Sequence, residues 1–276
     1  MKKIFCILLL VCAVCRGLFA QTAADYFNHG NAYGDQENYD LAIAAYTNAI
    51  RLDPNFANAY VNRGAAYDDK GDYDSAIADY TSAIHLNPNH AIAYFNRGNA
   101  YRHMEDYDGA IADYTSAILL NPNYAGAYNN RGIAYDDKGD YDSAIADYTS
   151  AILLNSNDAN AYVNRGIAYA NMEDHDRAIA DFTSAICLNP NHAVAYNNRG
   201  IVYRNKGDYD SAIADFTSAI RFNPNYTKAY NNRGNAYYNK GDYDRAIVDY
   251  EMMLRINPNH EGARQNLELA RQARER

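Results

Sequence analysis

Residues 230–250 read YNNRGNAYYNKGDYDRAIVDY and contain the pattern that decides the fold. From Tyr230, Gly234 and Tyr237 follow at i+4 and i+7, the spacing of one face of an α-helix. The helix is then interrupted, because Gly241 suits the left-handed residue that ends a helix and the aspartate after it suits an N-cap. A second apolar face follows the interruption. The stretch therefore predicts two helices joined by a tight turn.

The same pattern recurs along the chain with a period of 34 residues. Seven blocks of this length fill positions 23 to 260 without an insertion. We name them repeats 1 to 7 and number the positions of each from 1 to 34. The repeats are residues 23–56, 57–90, 91–124, 125–158, 159–192, 193–226 and 227–260. So uniform a period predicts one structural unit that stacks on copies of itself.

Each repeat carries its own helix signals. Apolar positions 4, 8 and 11 predict a first helix, and positions 17, 20, 21, 24, 27 and 28 predict a second. All six prolines fall at position 32, where they end the second helix, and we expect the asparagine after each to cap the next repeat. Because 25 of the 28 tyrosines lie at positions 4, 11, 17 and 24, we expect their rings to pack between helices rather than to bind ligands.

This unit resembles the tetratricopeptide repeat in length and in its small residues. Position 8 is always glycine: Gly30, Gly64, Gly98, Gly132, Gly166, Gly200 and Gly234. Position 20 is always alanine: Ala42, Ala76, Ala110, Ala144, Ala178, Ala212 and Ala246. The resemblance implies an all-α fold, a right-handed superhelical solenoid of stacked antiparallel helix pairs. Residues 261–276 continue as a helix with a polar outer side, which we expect to cap the last repeat.

Repeats 2 to 7 carry an arginine at position 7 of the predicted buried face, which is unusual for an interior position. The arginines are Arg63, Arg97, Arg131, Arg165, Arg199 and Arg233. The same repeats carry an aspartate at position 23, whereas repeat 1 has His29 and Ala45 at the two positions. Both positions lie eight residues from the turn, so an antiparallel pair brings them to one height. We predict an ion pair within each repeat; the alternative is a row of anion-binding arginines.

The resemblance places a ligand groove along the first helices, at positions 2, 5, 6, 9, 12 and 13. Position 6 is asparagine in all seven repeats, and the amide both donates and accepts hydrogen bonds. We predict that this face binds an extended peptide through Asn62, Asn96, Asn130, Asn164, Asn198 and Asn232 and the apolar stripe Ile133, Ile167 and Ile201. The alternative is that each asparagine only bonds an adjacent loop or helix end. Because positions 5 and 9 contain no lysine or arginine, a clamp for a terminal carboxylate at those positions is not expected.

The first twenty residues have a basic start followed by an apolar run, which predicts a signal peptide over 1–20. The protein is then exported to a bacterial periplasm or cell envelope, or secreted. An open alternative is a lipoprotein attached to the membrane through Cys12 or Cys15. Only Cys187 remains beyond this segment, so no intramolecular disulfide is expected.

The formal net charge is −9, and it is −12 once the three basic residues of the first twenty are set aside. A polyanionic partner requires clustered cations, so nucleic acid is not expected. The sequence has no nucleophile, phosphate-binding or metal-ligand motif, and we predict no enzymatic activity, small-molecule substrate, metal or other cofactor. It predicts a scaffold that binds a protein or peptide; the alternative is a passive structural or self-associating envelope protein, and the oligomeric state stays open.

Overall fold

A computed structural model describes residues 21–276 of the chain, so the predicted signal peptide and both candidate lipidation cysteines lie outside the described residues. Within that range the structure contains fifteen α-helices and no strand, as the repeat pattern predicts. The chain divides into two compact units, with the boundary after Asn123. We call residues 21–123 unit 1 and residues 124–276 unit 2.

Unit 1 contains repeats 1 to 3 except for Tyr124, the last residue of repeat 3. Its helices are α1 (Ala23–Gly34), α2 (Tyr39–Leu52), α3 (Ala57–Asp69), α4 (Tyr73–Leu86), α5 (Ala91–His103) and α6 (Tyr107–Leu120). Each first helix packs on the second helix of its own repeat, and each second helix packs on the first helix of the following repeat within the unit.

Unit 2 consists of repeats 4 to 7 and one additional helix. Its helices are α7 (Ala125–Asp137), α8 (Tyr141–Leu154), α9 (Ala159–Asn171), α10 (His175–Leu188), α11 (Ala193–Asn205), α12 (Tyr209–Phe222), α13 (Thr227–Asn239), α14 (Tyr243–Ile256) and α15 (Glu261–Arg274). The packing order is the same as in unit 1, and α15 lies against α14. Both units are therefore stacks of antiparallel helix pairs.

The turn inside each repeat follows from two residue types. In repeat 4, Gly139 has a φ of 78°, and the backbone N–H of Asp140 donates to the carbonyl of Tyr135 at 2.9 Å, which closes the end of α7. The Asp140 carboxylate then accepts from the backbone N–H of Ser143 at 3.2 Å and caps α8. The predicted capping role of this aspartate is confirmed here.

The connection between repeats corrects one expectation. The N-cap of each following helix is position 34 and not the asparagine at position 33, as His192 shows by accepting from the backbone N–H of Ala195. The asparagine that matters in this connection is at position 31: the side-chain oxygen of Asn189 accepts from the backbone N–H of Asn191 at 3.1 Å. Position 31 therefore shapes the turn, and position 34 starts the helix.

Inside each helix pair, the glycine at position 8 packs against the aromatic ring at position 24 of the same repeat. In repeat 5 a Cβ added at Gly166 would lie 2.8 Å from Cε1 of Phe182, so no larger residue fits without movement of the ring. Phe182 and Ala178 are fully buried at this contact. Position 8 is glycine because the two helices approach each other around the ring at position 24.

Candidate peptide-binding face

The arginines at position 7 are held by the aspartates of their own repeats, as predicted. In repeat 5 the Nε and NH2 groups of Arg165 donate to the two carboxylate oxygens of Asp181, both at 2.8 Å. The other five pairs have the same two-point geometry at 2.7 to 2.9 Å. Asp181 is buried, and its hydrogen bonds raise the pKa of Arg165. Each arginine therefore remains charged in the interior of its repeat.

Two further partners of these arginines were not foreseen. The NH1 group of Arg165 donates to Oγ1 of Thr149 in the preceding repeat at 3.0 Å, and the guanidinium lies 5.7 Å from the ring centroid of Tyr162. The threonine is at position 25 of its repeat, so its recurrence at a fixed spacing was the available signal. Because Nε, NH1 and NH2 all have acceptors, the geometry does not support the alternative of an anion-binding row.

In repeats 2, 5 and 7 the asparagine at position 6 donates a hydrogen bond to the preceding repeat, rather than to a loop or a helix end. In unit 1, Nδ2 of Asn62 donates to Oδ1 of Asn31 at 2.8 Å. In unit 2, Asn164 donates to Asn129 at 3.1 Å and Asn232 donates to Asn197 at 2.9 Å. The acceptor is an asparagine at position 9 or position 5 of the preceding repeat. These bonds link neighbouring first helices across the predicted groove face.

Two members of the row lack such an acceptor, and the reason is local. Position 9 of the repeat before Asn96 is Ala65, and positions 5 and 9 of the repeat before Asn198 are Val163 and Ile167. None of these side chains can accept a hydrogen bond. Within residues 21–276 the side chain of Asn96 makes no hydrogen bond, and Asn198 only accepts one, from Nδ2 of Asn197 at 3.4 Å. The amide nitrogen of Asn198 is consequently available to a ligand. Asn130 accepts from Nδ2 of Asn129 at 3.2 Å.

The isoleucine stripe belongs partly to the core of unit 2. Ile133, Ile167 and Ile201 are each half-buried against the aromatic ring at position 24 of their own repeats. Where position 9 is asparagine, it instead accepts from the tyrosine hydroxyl, as Asn235 does from Tyr250 at 2.8 Å. The stripe therefore replaces a polar contact with an apolar one, and it leaves part of each isoleucine accessible at the groove face.

Unit 2 contains a cavity on this face, with a volume of about 730 Å³. It brings together four of the predicted residues: Ile167, Asn198, Ile201 and Asn232. It also includes Val194, Lys228, Asn197 and Asn231, which lie at the groove positions 2 and 5 but were not singled out from the sequence, and Asn266, which the sequence analysis missed. The doubled asparagines at positions 5 and 6 of repeats 6 and 7 were the signal that could have singled out Asn197 and Asn231. The cavity combines an apolar floor with five amide side chains.

Helix α15 takes part in this cavity as well as covering the last repeat. Ala263, Leu267 and Ala270 are buried against Met253 and Tyr250. On its other side Nδ2 of Asn266 donates to Oδ1 of Asn231 at 3.2 Å, which continues the chain of amide bonds beyond repeat 7. The sequence predicted the covering role of this helix but not its contribution to the groove face.

Other chemistry has little support in the described part of the chain. Residues 21–276 contain no group of three or more His, Cys, Asp or Glu side chains that could hold a metal ion. Cys187 is exposed on α10 and has no disulfide partner there. None of the fifteen described helices has both the length and the hydropathy needed to cross a bilayer.

This architecture defines the class of helical-repeat proteins, and comparison with protein families specifies which one. Models of the tetratricopeptide repeat match residues 91–124, 125–158, 159–192 and 227–260, and another matches 27–91. Two more models, described as TPR repeat and tetratricopeptide repeat, match residues 202–241 and 182–214. The chain belongs to the tetratricopeptide repeat family. Proteins of this family generally bind protein or peptide partners as non-catalytic scaffolds.

Solved structures agree with this assignment. A tetratricopeptide repeat protein from Parabacteroides merdae ATCC 43184 is 21% identical, with a TM-score of 0.70 over 90% of this chain and 98% of that one. YrrB, described as a TPR protein with an unusual peptide-binding site, is 26% identical, with a TM-score of 0.57 over 67% of this chain and 95% of that one. MamA is 31% identical, with a TM-score of 0.55 over 58% and 94%. No curated protein sequence matches the chain significantly.

Proposed function

We propose that this protein is an exported, non-catalytic scaffold that holds an extended peptide or protein segment along the first-helix face of unit 2. The cavity over Ile167 and Ile201 is the observation that carries the proposal. Its floor suits an apolar side chain, and its amides suit the backbone of an extended segment, which has no hydrogen-bond partners of its own. YrrB, a structural neighbour with a described peptide-binding site, supports the same use of the fold.

The binding test uses a library of random short peptides displayed on phage and selected on residues 21–276. Val194 lies in the cavity with 42% of its surface exposed, so Val194→Asp introduces a charge there without opening the core. Val248 is 58% exposed on α14 and outside the cavity, so Val248→Asp is the matched control. We expect Val194→Asp to abolish binding of the selected peptides and Val248→Asp to retain it.

Binding that survives Val194→Asp would place the peptide elsewhere and contradict the proposal. Asn198→Ala provides a second test, because the Asn198 amide nitrogen has no acceptor in the described residues and its loss costs no internal hydrogen bond donated by that group. We expect weaker peptide binding from this variant and an unchanged melting temperature. An unchanged affinity would exclude Asn198 from the contact.

Self-association is the second candidate function, and one feature favours it. Leu153 on α8 is 81% exposed and lies beside Leu154, which is 40% exposed, so unit 2 presents apolar side chains away from its core. Size-exclusion chromatography with light scattering separates the two functions. A monomer whose mass does not change with concentration supports the scaffold, whereas an oligomer that Leu153→Asp dissociates supports self-association.

Export rests on the basic start and apolar run of residues 1–20. The full chain is produced in a bacterium, and the mass and N-terminal residue of the envelope fraction are determined. A chain that begins at Gln21 supports a cleaved signal peptide, and a lipid-sized mass increase on Cys12 or Cys15 supports the lipoprotein alternative. An uncleaved chain that stays in the cytoplasm contradicts export.

A further inference from the structure

Arg204, at position 12 of repeat 6, differs from the paired interior arginines. It is half-buried on α11, yet no carboxylate lies within ion-pair distance of it. Its NH1 group donates to Oδ1 of Asn232 at 3.4 Å and its NH2 group to Oδ1 of Asn205 at 3.5 Å. Both contacts are long and go to neutral amides. By comparison, Arg199 on the same helix has its two carboxylate contacts at 2.8 Å.

The desolvation cost of the Arg204 guanidinium is not offset by any carboxylate of the described chain, which indicates that its counterion comes from a ligand. A partly buried cation loses hydration, and a weak contact with an amide oxygen restores little of it. Burial accordingly lowers the pKa of Arg204, and the only ionisable group that opposes the shift is Tyr209. A carboxylate would supply two strong hydrogen bonds and a countercharge, as it does for the arginines at position 7. No acidic residue of the described chain meets this need.

Arg204 lies on the groove face. Asn197, Ile201 and Arg204 are spaced i, i+4 and i+7 along α11, so they share one side of the helix. The first two line the cavity, and so does Asn232, to which Arg204 donates. Arg204 does not line the cavity itself, but a segment that continues from the cavity past Asn232 toward the C-terminal end of α11 would meet its guanidinium.

The surrounding charges also favour an anionic group at this end of unit 2. Position 13 is acidic in repeats 1, 2 and 4, whereas repeats 5 to 7 have Asn171, Asn205 and Asn239 there. The helix-cap carboxylates of repeats 5 and 6 have other partners: Asp174 pairs with Arg177, and Asp208 caps α12 through the backbone N–H of Ser211. Within residues 21–276 no carboxylate forms an ion pair with Arg204.

Repeat 3 provides an internal parallel. Arg102 occupies position 12 of α5 in unit 1, and its buried Nε atom has no hydrogen-bond partner. Two repeats thus carry an arginine at position 12 that has no carboxylate partner. By contrast, each of the six arginines at position 7 is paired with an aspartate of its own repeat.

We propose that Arg204 binds a carboxylate of the segment held in the unit 2 cavity. The cavity then selects an extended segment that combines an apolar side chain over Ile167 and Ile201 with an acidic group beyond it. The inference rests on the proposed function and names the chemistry of its ligand. The carboxylate belongs to an aspartate or glutamate side chain or to the C-terminus of the segment, and the experiment distinguishes these sources.

The experiment selects random displayed peptides on residues 21–276 and then synthesises the tightest binder in three forms. One form keeps its acidic residue, one replaces it with the corresponding amide, and one has an amidated C-terminus. We expect the acid-to-amide change to weaken binding to the unsubstituted protein about tenfold, because a charge-assisted pair is replaced by a neutral one. With Arg204→Gln the acid and amide forms should bind equally.

Two variants keep the result interpretable. Arg221→Gln removes the same charge from α12, where Arg221 is exposed and outside the cavity, and it should preserve the preference for the acid. Arg204→Lys should preserve part of it, because the charge remains. Circular dichroism melting of each variant verifies that it is folded.

The outcomes separate this inference from the proposed function. If peptides bind the cavity without any preference for a carboxylate, or if the preference survives Arg204→Gln, Arg204 does not bind a carboxylate and the scaffold function stands. If C-terminal amidation weakens binding about as much as expected for the acid-to-amide change, and the acid-to-amide change does not, the terminal carboxylate is the bound group. If no peptide is selected at all, the proposed function and the inference both fail.

Discussion

At the scale of single residues, the position 7 arginines show how a charge is accommodated inside a repeat. Asp147 is 5% exposed, and both its oxygens accept from Arg131 at 2.7 Å. A buried pair of this geometry contributes little relative to an apolar pair of equal volume, but loss of one partner leaves a buried charge without compensation. The pair therefore has its largest effect on stability when it is broken.

We predict that Asp147→Ala lowers the free energy of unfolding by about 3 kcal/mol, because Arg131 then remains buried without its counterion. Circular dichroism melting measures the change. Asp137→Ala is the matched control, since Asp137 is exposed at the C-terminal end of α7, where a negative charge opposes the helix dipole. The control should melt at an unchanged or slightly higher temperature, and an equal loss in both variants would refute the role of the pair.

At the scale of helices and turns, position 15 separates two kinds of repeat. Gly71, Gly139, Gly207 and Gly241 have φ values between 78° and 81°. Repeats 1, 3 and 5 place Glu37, Glu105 and Glu173 in the same left-handed region, with φ values between 58° and 62°. A side chain with a Cβ is strained in this region by about 1–2 kcal/mol. Three turns of the chain therefore carry a strain that the other four avoid.

We predict that Glu173→Gly stabilises unit 2 by up to about 1 kcal/mol, because relief of the left-handed strain exceeds the extra entropy that glycine adds to the unfolded chain. The reciprocal change Gly207→Glu, in the turn of the next repeat, should destabilise by a similar amount. Thermal melting of both variants tests the pair. A lower melting temperature for Glu173→Gly would show that the glutamate contributes more than its backbone conformation costs.

At the scale of the whole molecule, each stack ends with a helix face that the next repeat would cover. In unit 2, α15 covers that face: Leu267 packs into the cluster that contains Tyr230, Ile247 and Met253. Its outer side is charged, and pairs such as Arg271 with Glu251 at 2.9 Å remain in solvent. Repeat arrays are stabilised through their neighbours, so the last interface affects the repeats before it.

We predict that deletion of residues 261–276 lowers the melting temperature and promotes aggregation, because Met253 and Tyr230 become exposed. Light scattering during thermal melting measures both effects. Leu267→Ser should reproduce the destabilisation at about 2–3 kcal/mol, since the side chain is 8% exposed. Leu269→Ser, on the same helix but 54% exposed, should have little effect. Equal melting of the two serine variants would contradict the covering role of α15.

The sequence by itself determined the repeat period, the helix pairs, the turn residues and the pairing of Arg165 with Asp181. All of these follow from signals within one repeat: the partners are sixteen residues apart, and a helical hairpin fixes their height. The helix pattern recurs in seven repeats and the arginine–aspartate pair in six, so the copies reinforce the same interpretation. The face of the first helices was also predictable, because helical spacing assigns it.

Only the tertiary structure decided which side chains of that face have partners. Asn164 and Asn198 occupy the same position of their repeats, yet Asn164 donates to Asn129, whereas Asn198 makes no such bond to the preceding repeat. The isolated state of Arg204 and the contribution of α15 to the cavity were likewise not predictable. A hydrogen bond depends on distances near 3 Å between atoms of neighbouring repeats. Sequence periodicity fixes which residues share a face, but packing between repeats fixes those distances.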